Sequence, residues 1–306
     1  MQPTKTTVSV SFPVSLPPEK LKKSKMMNNL PPLPDRRLFT LFTVIALVGF
    51  FLIISTLLNA GNTALFCTES ISDEFYSTTT TPLQLDAIFH YATALVVPQQ
   101  SLAEISISFN VLLSISPCNF LVFGLGHDSL MWASFNPNGK TLFLEEDAKW
   151  VLNVLKTAPD LNAVTVDYRT KLSDAEDLLK SYHSEPECTP SRAFIRGNAR
   201  CRLAITDLPD EVYETEWDII MIDAPRGYYN EAPGRMGAIY SAAVMARNRK
   251  QPGVTHVFLH DVDRKVEKEY AEEFLCRKYL KKGVGRLWHF EIPPAENVTD
   301  GGGRFC

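Results

Sequence analysis

The chain of 306 residues lacks several features that assign proteins to common classes. No internal repeat is visible, which excludes a repeat array. No Cys-x-x-Cys spacing occurs, and this argues against a structural zinc site. The formal net charge is −4, so the sequence predicts no cationic surface of the kind that binds nucleic acid, and no nucleic-acid partner.

Charge is missing altogether from residues 38–58, a run of 21 residues. At ~1.5 Å per residue, a helix of this length spans about 30 Å, the thickness of a bilayer core. Six lysines and arginines lie just before the run, between residues 20 and 37. The positive-inside rule therefore predicts a disordered cytosolic tail at 1–37, a transmembrane signal anchor at 38–58, a lumenal stem at 59–81 and a lumenal domain at 82–306. A buried core helix is the alternative for 38–58, and the basic lead-in disfavours it.

All six cysteines follow the predicted membrane segment. An even number of cysteines in a secretory lumen favours disulfides, and we expect Cys188 to pair with Cys201 because they bracket a polar loop. The sequence leaves the other pairs open. Asn297-Val-Thr is a glycosylation sequon, which fits a lumenal location.

An apolar run, Phe120 to Phe123, leads into a turn that contains Gly124 and Gly126. Glycine lets a backbone approach a ligand closely, and an acid at the end of the next strand can accept hydrogen bonds from ribose hydroxyls. Ser129 stands where a dinucleotide fingerprint has its third glycine. This departure disfavours a pyrophosphate and leaves S-adenosylmethionine open. The residues predicted to bind the cofactor are Gly124, Leu125, Gly126, His127 and Glu145.

Apolar runs of strand length recur along the chain and alternate with helical segments. Strands that are apolar on both faces and are separated by helices predict an α/β fold with a mostly parallel, doubly wound sheet. Ligands bind such sheets at the carboxyl ends of the strands. The predicted strands are Phe120–Phe123, Thr141–Leu144, Ala163–Val166, Asp218–Ile222 and His256–Leu259.

Charged side chains follow the last two of these strands. Asp223 ends one strand, and His260 and Asp261 follow the other. A histidine beside a carboxylate suits general-base chemistry, so we predict Asp223, His260 and Asp261 as catalytic residues. The two acids are also candidate ligands of a divalent metal ion.

The loop after Asp223 places tyrosines between two arginines. An aromatic face can stack on a sugar ring, and a guanidinium can pair with a carboxylate through two hydrogen bonds. We therefore predict that Arg226, Tyr228 and Arg235 bind an acidic sugar.

Seven motifs carry a family resemblance: PCNFLVFGLGHDSLMW at 117–132, LFLEED at 142–147, EWDIIMIDAP at 216–225, EAPGRM at 231–236, MARNRK at 245–250, HVFLHD at 256–261 and EFLC at 273–276. They are similar to the plant glucuronoxylan 4-O-methyltransferase family, which includes relatives that act on arabinogalactan glucuronic acid. The resemblance extends over roughly residues 82–292.

The resemblance implies a class I S-adenosylmethionine-dependent methyltransferase-like fold, preceded by a single transmembrane helix. It implies a type II protein of the Golgi membrane with its catalytic domain in the lumen. The acceptor would be the 4-hydroxyl of glucuronic acid side chains on an acidic polysaccharide, either glucuronoxylan or arabinogalactan. Gly124, Gly126 and Glu145 correspond to the family's donor-binding turn and ribose acid.

Two other functions stay open at this point. A lumenal glycosyltransferase could use Asp261-Val-Asp263 as a metal-nucleotide motif, although a three-residue pattern is weak. A non-catalytic partner in xylan synthesis would bind no methyl donor. The sequence does not give the acceptor polymer, the metal requirement or the oligomeric state.

Overall fold

The structure, a computed structural model, describes residues 81–295 and 304–306. Several predicted segments lie outside these residues: the tail, the membrane segment, the sequon at Asn297 and all of the stem except residue 81. Within the part that the structure describes, no helix is long and apolar enough to cross a membrane.

The described residues form eight α-helices and seven strands, which we number in chain order. The helices are α1 (Pro82–Thr93), α2 (Leu102–Ile115), α3 (Ser129–Ser134), α4 (Ala148–Thr157), α5 (Ala175–Ser181), α6 (Asp210–Glu214), α7 (Met236–Arg247) and α8 (Lys265–Tyr270). The strands are β1 (Asn119–Phe123), β2 (Lys140–Glu145), β3 (Ala163–Thr165), β4 (Ile219–Ile222), β5 (Thr255–Leu259), β6 (Leu280–Val284) and β7 (Leu287–Ile292).

All seven strands belong to one sheet with the order β3-β2-β1-β4-β5-β7-β6. The first five strands in this order are parallel, whereas β7 runs antiparallel to β5 and β6. Phe123 pairs with Leu144 and with Ile222, and Ile222 pairs with Leu259. The carboxyl ends of β1, β2, β4 and β5 therefore lie side by side, where an open α/β sheet binds its ligand.

The central strands are apolar on both faces because helices cover both faces. Leu121 and Phe123 of β1 pack into one core with α7, while Phe120 and Val122 pack into a second core with α2, α3 and α4. Successive side chains of a strand point to opposite faces, so each central strand contributes to both cores.

Helices α1 and α2 each begin with a capping box. Thr81 and Gln84 exchange hydrogen bonds at the start of α1, and Ser101 and Glu104 do so at the start of α2. Each box satisfies two N–H groups that an uncapped helix would leave unpaired. The second box thereby fixes the short connection, residues 94–100, at the point where it enters α2.

Two disulfides bond loops on the α7 side of the sheet. Cys188 bonds to Cys201, as predicted, and Cys276 bonds to Cys306. The second bond holds Phe305, which is 6% exposed, among the rings of Tyr182, Tyr240 and Phe274. Cys118 is a free thiol and is buried.

The expected fold class is confirmed within the described residues. Each predicted strand lies within two residues of an observed one, and the strand order with an antiparallel β7 is that of a class I methyltransferase-like fold. The sheet is mixed because β6 and β7, which were not predicted, add an antiparallel hairpin at one edge.

Candidate active site

The turn after β1 approaches the neighbouring strand ends closely. Gly124 has a φ of +125°, and its N–H donates to the carbonyl of Leu144 at 2.7 Å. A Cβ at Gly124 would lie 3.2 Å from the Cβ of Ala224, on the loop after β4. Glycine is needed here for both its conformation and its size.

Glu145 fixes this turn from the end of β2. Its two carboxylate oxygens accept hydrogen bonds from the N–H groups of Leu125, at 3.1 Å, and Asp147, at 3.1 Å. Burial, followed by the charge of the adjacent Glu146, raises the pKa of Glu145 to about 7. The carboxyl thus lies beside the turn, where the ribose-acid prediction requires it.

Helix α1 and Trp150 hold the rest of the turn. The Tyr91 hydroxyl donates to the carbonyl of His127 at 2.6 Å and accepts from the N–H of Met131 at 3.2 Å. Trp150 Nε1 donates to the carbonyl of Leu125 at 2.6 Å, and the exposed ring of His127 lies edge-on to the Trp150 ring. The backbone of the turn is therefore fixed from the side of α1 and from that of α4.

Asp223 and His260 form a pair at the ends of β4 and β5. His260 Nδ1 lies 2.9 Å from Asp223 Oδ1, and the tautomer protonated at Nδ1 donates to this carboxylate. Burial alone would raise the pKa of Asp223, but the hydrogen bond with His260 and the charge of Arg235 outweigh it and lower the pKa. His260 itself is fully buried, whereas the Asp223 side chain is 25% exposed. Asp223 is therefore the member of the pair that reaches the cavity.

Glu104 lies on the other side of His260. Glu104 Oε1 is 3.9 Å from His260 Nε2, which has no hydrogen-bond partner in the described part of the chain. Burial raises the pKa of Glu104, but hydrogen bonds from the N–H groups of Ser101 and Arg286 outweigh that effect and lower it. His260 is thus held between two carboxylates, from α2 and from the end of β4.

Three arginines surround the carboxylate of Asp261. Arg235 and Arg264 lie 2.9 Å and 2.8 Å from Asp261 Oδ2, and Arg286 donates to Oδ1 at 2.5 Å. Asp261 is 3% exposed and has a positive φ of 60°. Its charge is fully engaged inside the protein, and Asp263, the other acid of Asp-x-Asp, is exposed.

Arg235 is buried and forms hydrogen bonds with residues at the ends of both β4 and β5. Its guanidinium donates to the carbonyls of Pro225, His260 and Asp223 and contacts Asp223 Oδ1 at 3.2 Å. With 4% of its surface exposed, its donors serve the protein itself. Its predicted contact with an acidic sugar stays a prediction.

Arg226 and Tyr228 lie at the mouth of the site. Arg226 contacts Asp147 at 3.3 Å and Glu146 at 3.5 Å, so it connects the loop after β4 to the start of α4. Tyr228 is 69% exposed and lies next to Tyr229. A ring this exposed is available to a sugar.

One cavity of about 450 Å³ joins these groups. The cavity is lined by the turn after β1 and by Glu145, Asp223, Asp261, Arg226 and Tyr228. The structure therefore brings nearly all the predicted site residues together. His260 lies directly behind Asp223. Sequence reasoning missed four nearby residues: Gln100, Glu104, Arg264 and Arg286. Only Glu104 carries a local signal, because Ser101 and Glu104 stand at capping-box spacing in the sequence.

The fold and this cavity define a class I methyltransferase. The sequence profile described as IRX15/IRX15L/GXM matches residues 103–290, and the chain belongs to that family, as the resemblance predicted.

Two relatives from Arabidopsis thaliana are similar over most of their length. Arabinogalactan O-methyltransferase 1 is 57% identical over 289 residues, covering 92% of this chain and 100% of that protein. Glucuronoxylan 4-O-methyltransferase 1 is 53% identical over 210 residues, covering 68% and 72%. Among solved structures, a methyltransferase-like protein from Silicibacter pomeroyi has a TM-score of 0.35 at 16% identity, covering 65% of this chain and 89% of that one.

Proposed function

We propose that this protein transfers the methyl group of S-adenosylmethionine to the 4-hydroxyl of glucuronic acid side chains on arabinogalactan. The observation that carries the proposal is the single cavity lined by the glycine turn, by Glu145 and by Asp223. A nucleoside-bearing donor fits the turn and the acid, and an acceptor hydroxyl in the same cavity would meet Asp223.

The choice of polymer rests on the relatives. The similarity to the arabinogalactan enzyme extends over all of that protein, whereas the similarity to the glucuronoxylan enzyme covers 72% of its length. Glucuronoxylan is the second candidate, because 53% identity brings its methyltransferase nearly as close.

The proposed reaction is an in-line displacement at the methyl carbon. The acceptor oxygen forms a bond to that carbon, the carbon–sulfur bond breaks, and the sulfonium becomes a neutral thioether. Asp223 takes the hydroxyl proton, and His260 behind it holds the carboxylate in place. The donor is already activated, so alignment and proton removal are the protein's main tasks.

A divalent metal ion is the second part of this proposal. Asp223, His260 and Asp261 offer ligand atoms that all lie within 4.8 Å of one another, and two carboxylates with an imidazole suit such an ion. Arg235 contacts the same two carboxylates, so an ion would compete with it. A bound ion would supply positive charge next to the acceptor hydroxyl and ease its deprotonation.

We further propose a type II protein of the Golgi membrane, with residues 82–306 in the lumen. The uncharged run at 38–58 with its basic lead-in supports this topology. Two disulfides within the described residues suit an oxidising compartment. Protease treatment of sealed Golgi vesicles tests it, since we expect the catalytic domain to be protected until detergent is added.

The activity is tested with the full chain and methyl-labelled S-adenosylmethionine. De-methylated arabinogalactan and glucuronoxylan are offered side by side, and the labelled sugar is identified by NMR. We expect 4-O-methylglucuronic acid, formed faster on arabinogalactan. A folded protein that binds no S-adenosylmethionine, with or without divalent metal, would refute the proposal and favour a non-catalytic role.

A further inference from the structure

The arginines of the site differ in how many of their donors are already used. Arg235 makes four hydrogen bonds within the protein and is buried. Arg286 donates to Asp261 and to the carbonyl of Gln99. Arg226 is tied to the acids at the start of α4. These three guanidiniums therefore have structural partners.

Arg264 has one partner within hydrogen-bond distance, Asp261. Its guanidinium lines the cavity, its side chain is 33% exposed, and it contacts Asp261 Oδ2 at 2.8 Å through Nη2. Nη1 lies 3.6 Å from Glu267 Oε1, which is too far for a hydrogen bond. An arginine has five N–H donors, so most of the Arg264 donors remain available to a ligand in the cavity.

One short ion pair orients this guanidinium. Asp261 holds Nη2, and Glu267 of α8, which is 1% exposed, lies beside Nη1. Burial raises the pKa of Glu267, which favours its neutral form. Asp261 contacts Arg264, Arg286 and Arg235 at once, so Arg264 shares its one close carboxylate with two other arginines. Its remaining donors suit a second carboxylate.

The position of Arg264 suits the acceptor and not the donor. Arg264 follows β5 and lies beyond Asp261, whereas the donor turn and Glu145 follow β1 and β2 on the other side of β4. Gly227, in the loop that carries Tyr228, is its close neighbour: a Cβ there would lie 3.7 Å from Arg264 Nη1. The Arg264 guanidinium and the exposed tyrosine thus belong to the same wall of the cavity.

We propose that Arg264 binds the carboxylate of the acceptor uronic acid and makes the enzyme selective for an acidic sugar. This inference rests on the proposed function. It replaces Arg226 and Arg235, the predicted ligands of the carboxylate, with a residue that sequence reasoning did not select. A planar guanidinium can form two parallel hydrogen bonds with a carboxylate.

The test compares two acceptors and two proteins. The acceptors are an arabinogalactan oligosaccharide that ends in glucuronic acid and its carboxyl methyl ester. The proteins are the wild type and Arg264→Gln. Hydrogen bonds to charged groups give roughly a 10- to 100-fold effect. We therefore expect Arg264→Gln to lower kcat/KM for the acid by about that factor, mainly through KM, and to leave the ester within about threefold.

Three controls separate this role from a structural one. Asp261 keeps Arg235 and Arg286, so Arg264→Gln should fold and bind S-adenosylhomocysteine normally by calorimetry. Lys265→Gln removes a neighbouring charge that is 74% exposed and should behave as the wild type. Arg264→Lys keeps the charge without the fork and should recover only part of the acid preference.

The outcomes distinguish this inference from the proposed function. If the wild type methylates the acid and Arg264→Gln does so equally well, or loses acid and ester activity in parallel, Arg264 does not read the carboxylate. Calorimetry with the acid oligosaccharide and S-adenosylhomocysteine provides a second readout, in which only the oligosaccharide should weaken. If the wild type methylates neither acceptor, the proposed function fails and this inference fails with it.

Discussion

Replacing Arg235 by methionine should destabilise the fold more than any exposed arginine could. Methionine fills much of the same volume but removes the donors to the carbonyls of Pro225 and His260 and the contact with Asp223. Breaking a buried ion pair from one side costs about 3–5 kcal/mol. Asp261 keeps two other arginines, so we expect the lower part of that range, about 3 kcal/mol, for the free energy of unfolding.

The assay is urea unfolding followed by tryptophan fluorescence with the disulfides intact. For a slope of about 2–3 kcal/mol/M, the midpoint should fall by roughly 1 M. Arg226→Met is the matched control, because Arg226 is exposed and its ion pairs contribute less than about 1 kcal/mol. An Arg235→Met protein within about 1 kcal/mol of the wild type would show that this guanidinium does not neutralise the carboxylates, which would refute the reasoning.

Three further predictions concern the donor, the base and the metal. Because the pKa of Glu145 is raised to about 7 and ribose hydroxyls donate to its ionised form, S-adenosylmethionine affinity should fall below pH 7, by up to about tenfold per pH unit. Glu145→Gln should remove this dependence in calorimetry from pH 5.5 to 8, and a flat wild-type profile would contradict it. His260→Ala should bind S-adenosylmethionine normally but lose roughly 10- to 100-fold in kcat, because Asp223 loses the hydrogen bond that positions it, whereas full activity would exclude this role. Dialysis against a chelator should lower turnover, and added Mn²⁺ should restore it. EPR should show Mn²⁺ bound to the wild type but not to Asp223→Asn. Unchanged turnover after dialysis, together with no bound Mn²⁺, would exclude the metal.

The central sheet could be predicted from the sequence because its strands carry their own signal. Phe120–Phe123 and Ile219–Ile222 are apolar on both faces, which only a doubly covered strand requires. The hairpin of β6 and β7 was missed because β6 includes Lys281, Lys282 and Gly283, all exposed at the sheet edge. Exposed edge strands lack the apolar pattern that identifies central ones.

The site was predictable where it follows strand ends and not elsewhere. Asp223 and Glu145 are acids directly after apolar runs, so topology alone brings them to one edge of the sheet. Arg286 reaches Asp261 from the β6–β7 turn, and Glu104 reaches His260 across more than 150 residues of sequence. No local pattern predicts contacts that depend on how distant elements pack.

The sequence also does not predict which arginine of the site can bind a ligand. Arg226 and Arg235 were selected because they flank tyrosines, and both prove to have partners inside the protein. Arg264 lies in a charged stretch that reads as a solvated helix start. Its role follows from its place on the cavity wall beside Asp261, which only the folded structure shows.

The hydrogen bond from Tyr91 to the donor turn bears on where the catalytic unit begins. The block that the family profile matches starts at residue 103, yet Tyr91 and Gln100, which donates to Asp223 at 3.3 Å, lie before it. A fragment that begins at residue 103 would keep the sheet. It would lose the hydrogen bond from Tyr91 to the donor turn and the hydrogen bond from Gln100 to Asp223. Fragments for expression or crystallisation should therefore begin upstream of Thr81, so that the cap of α1 is retained as well.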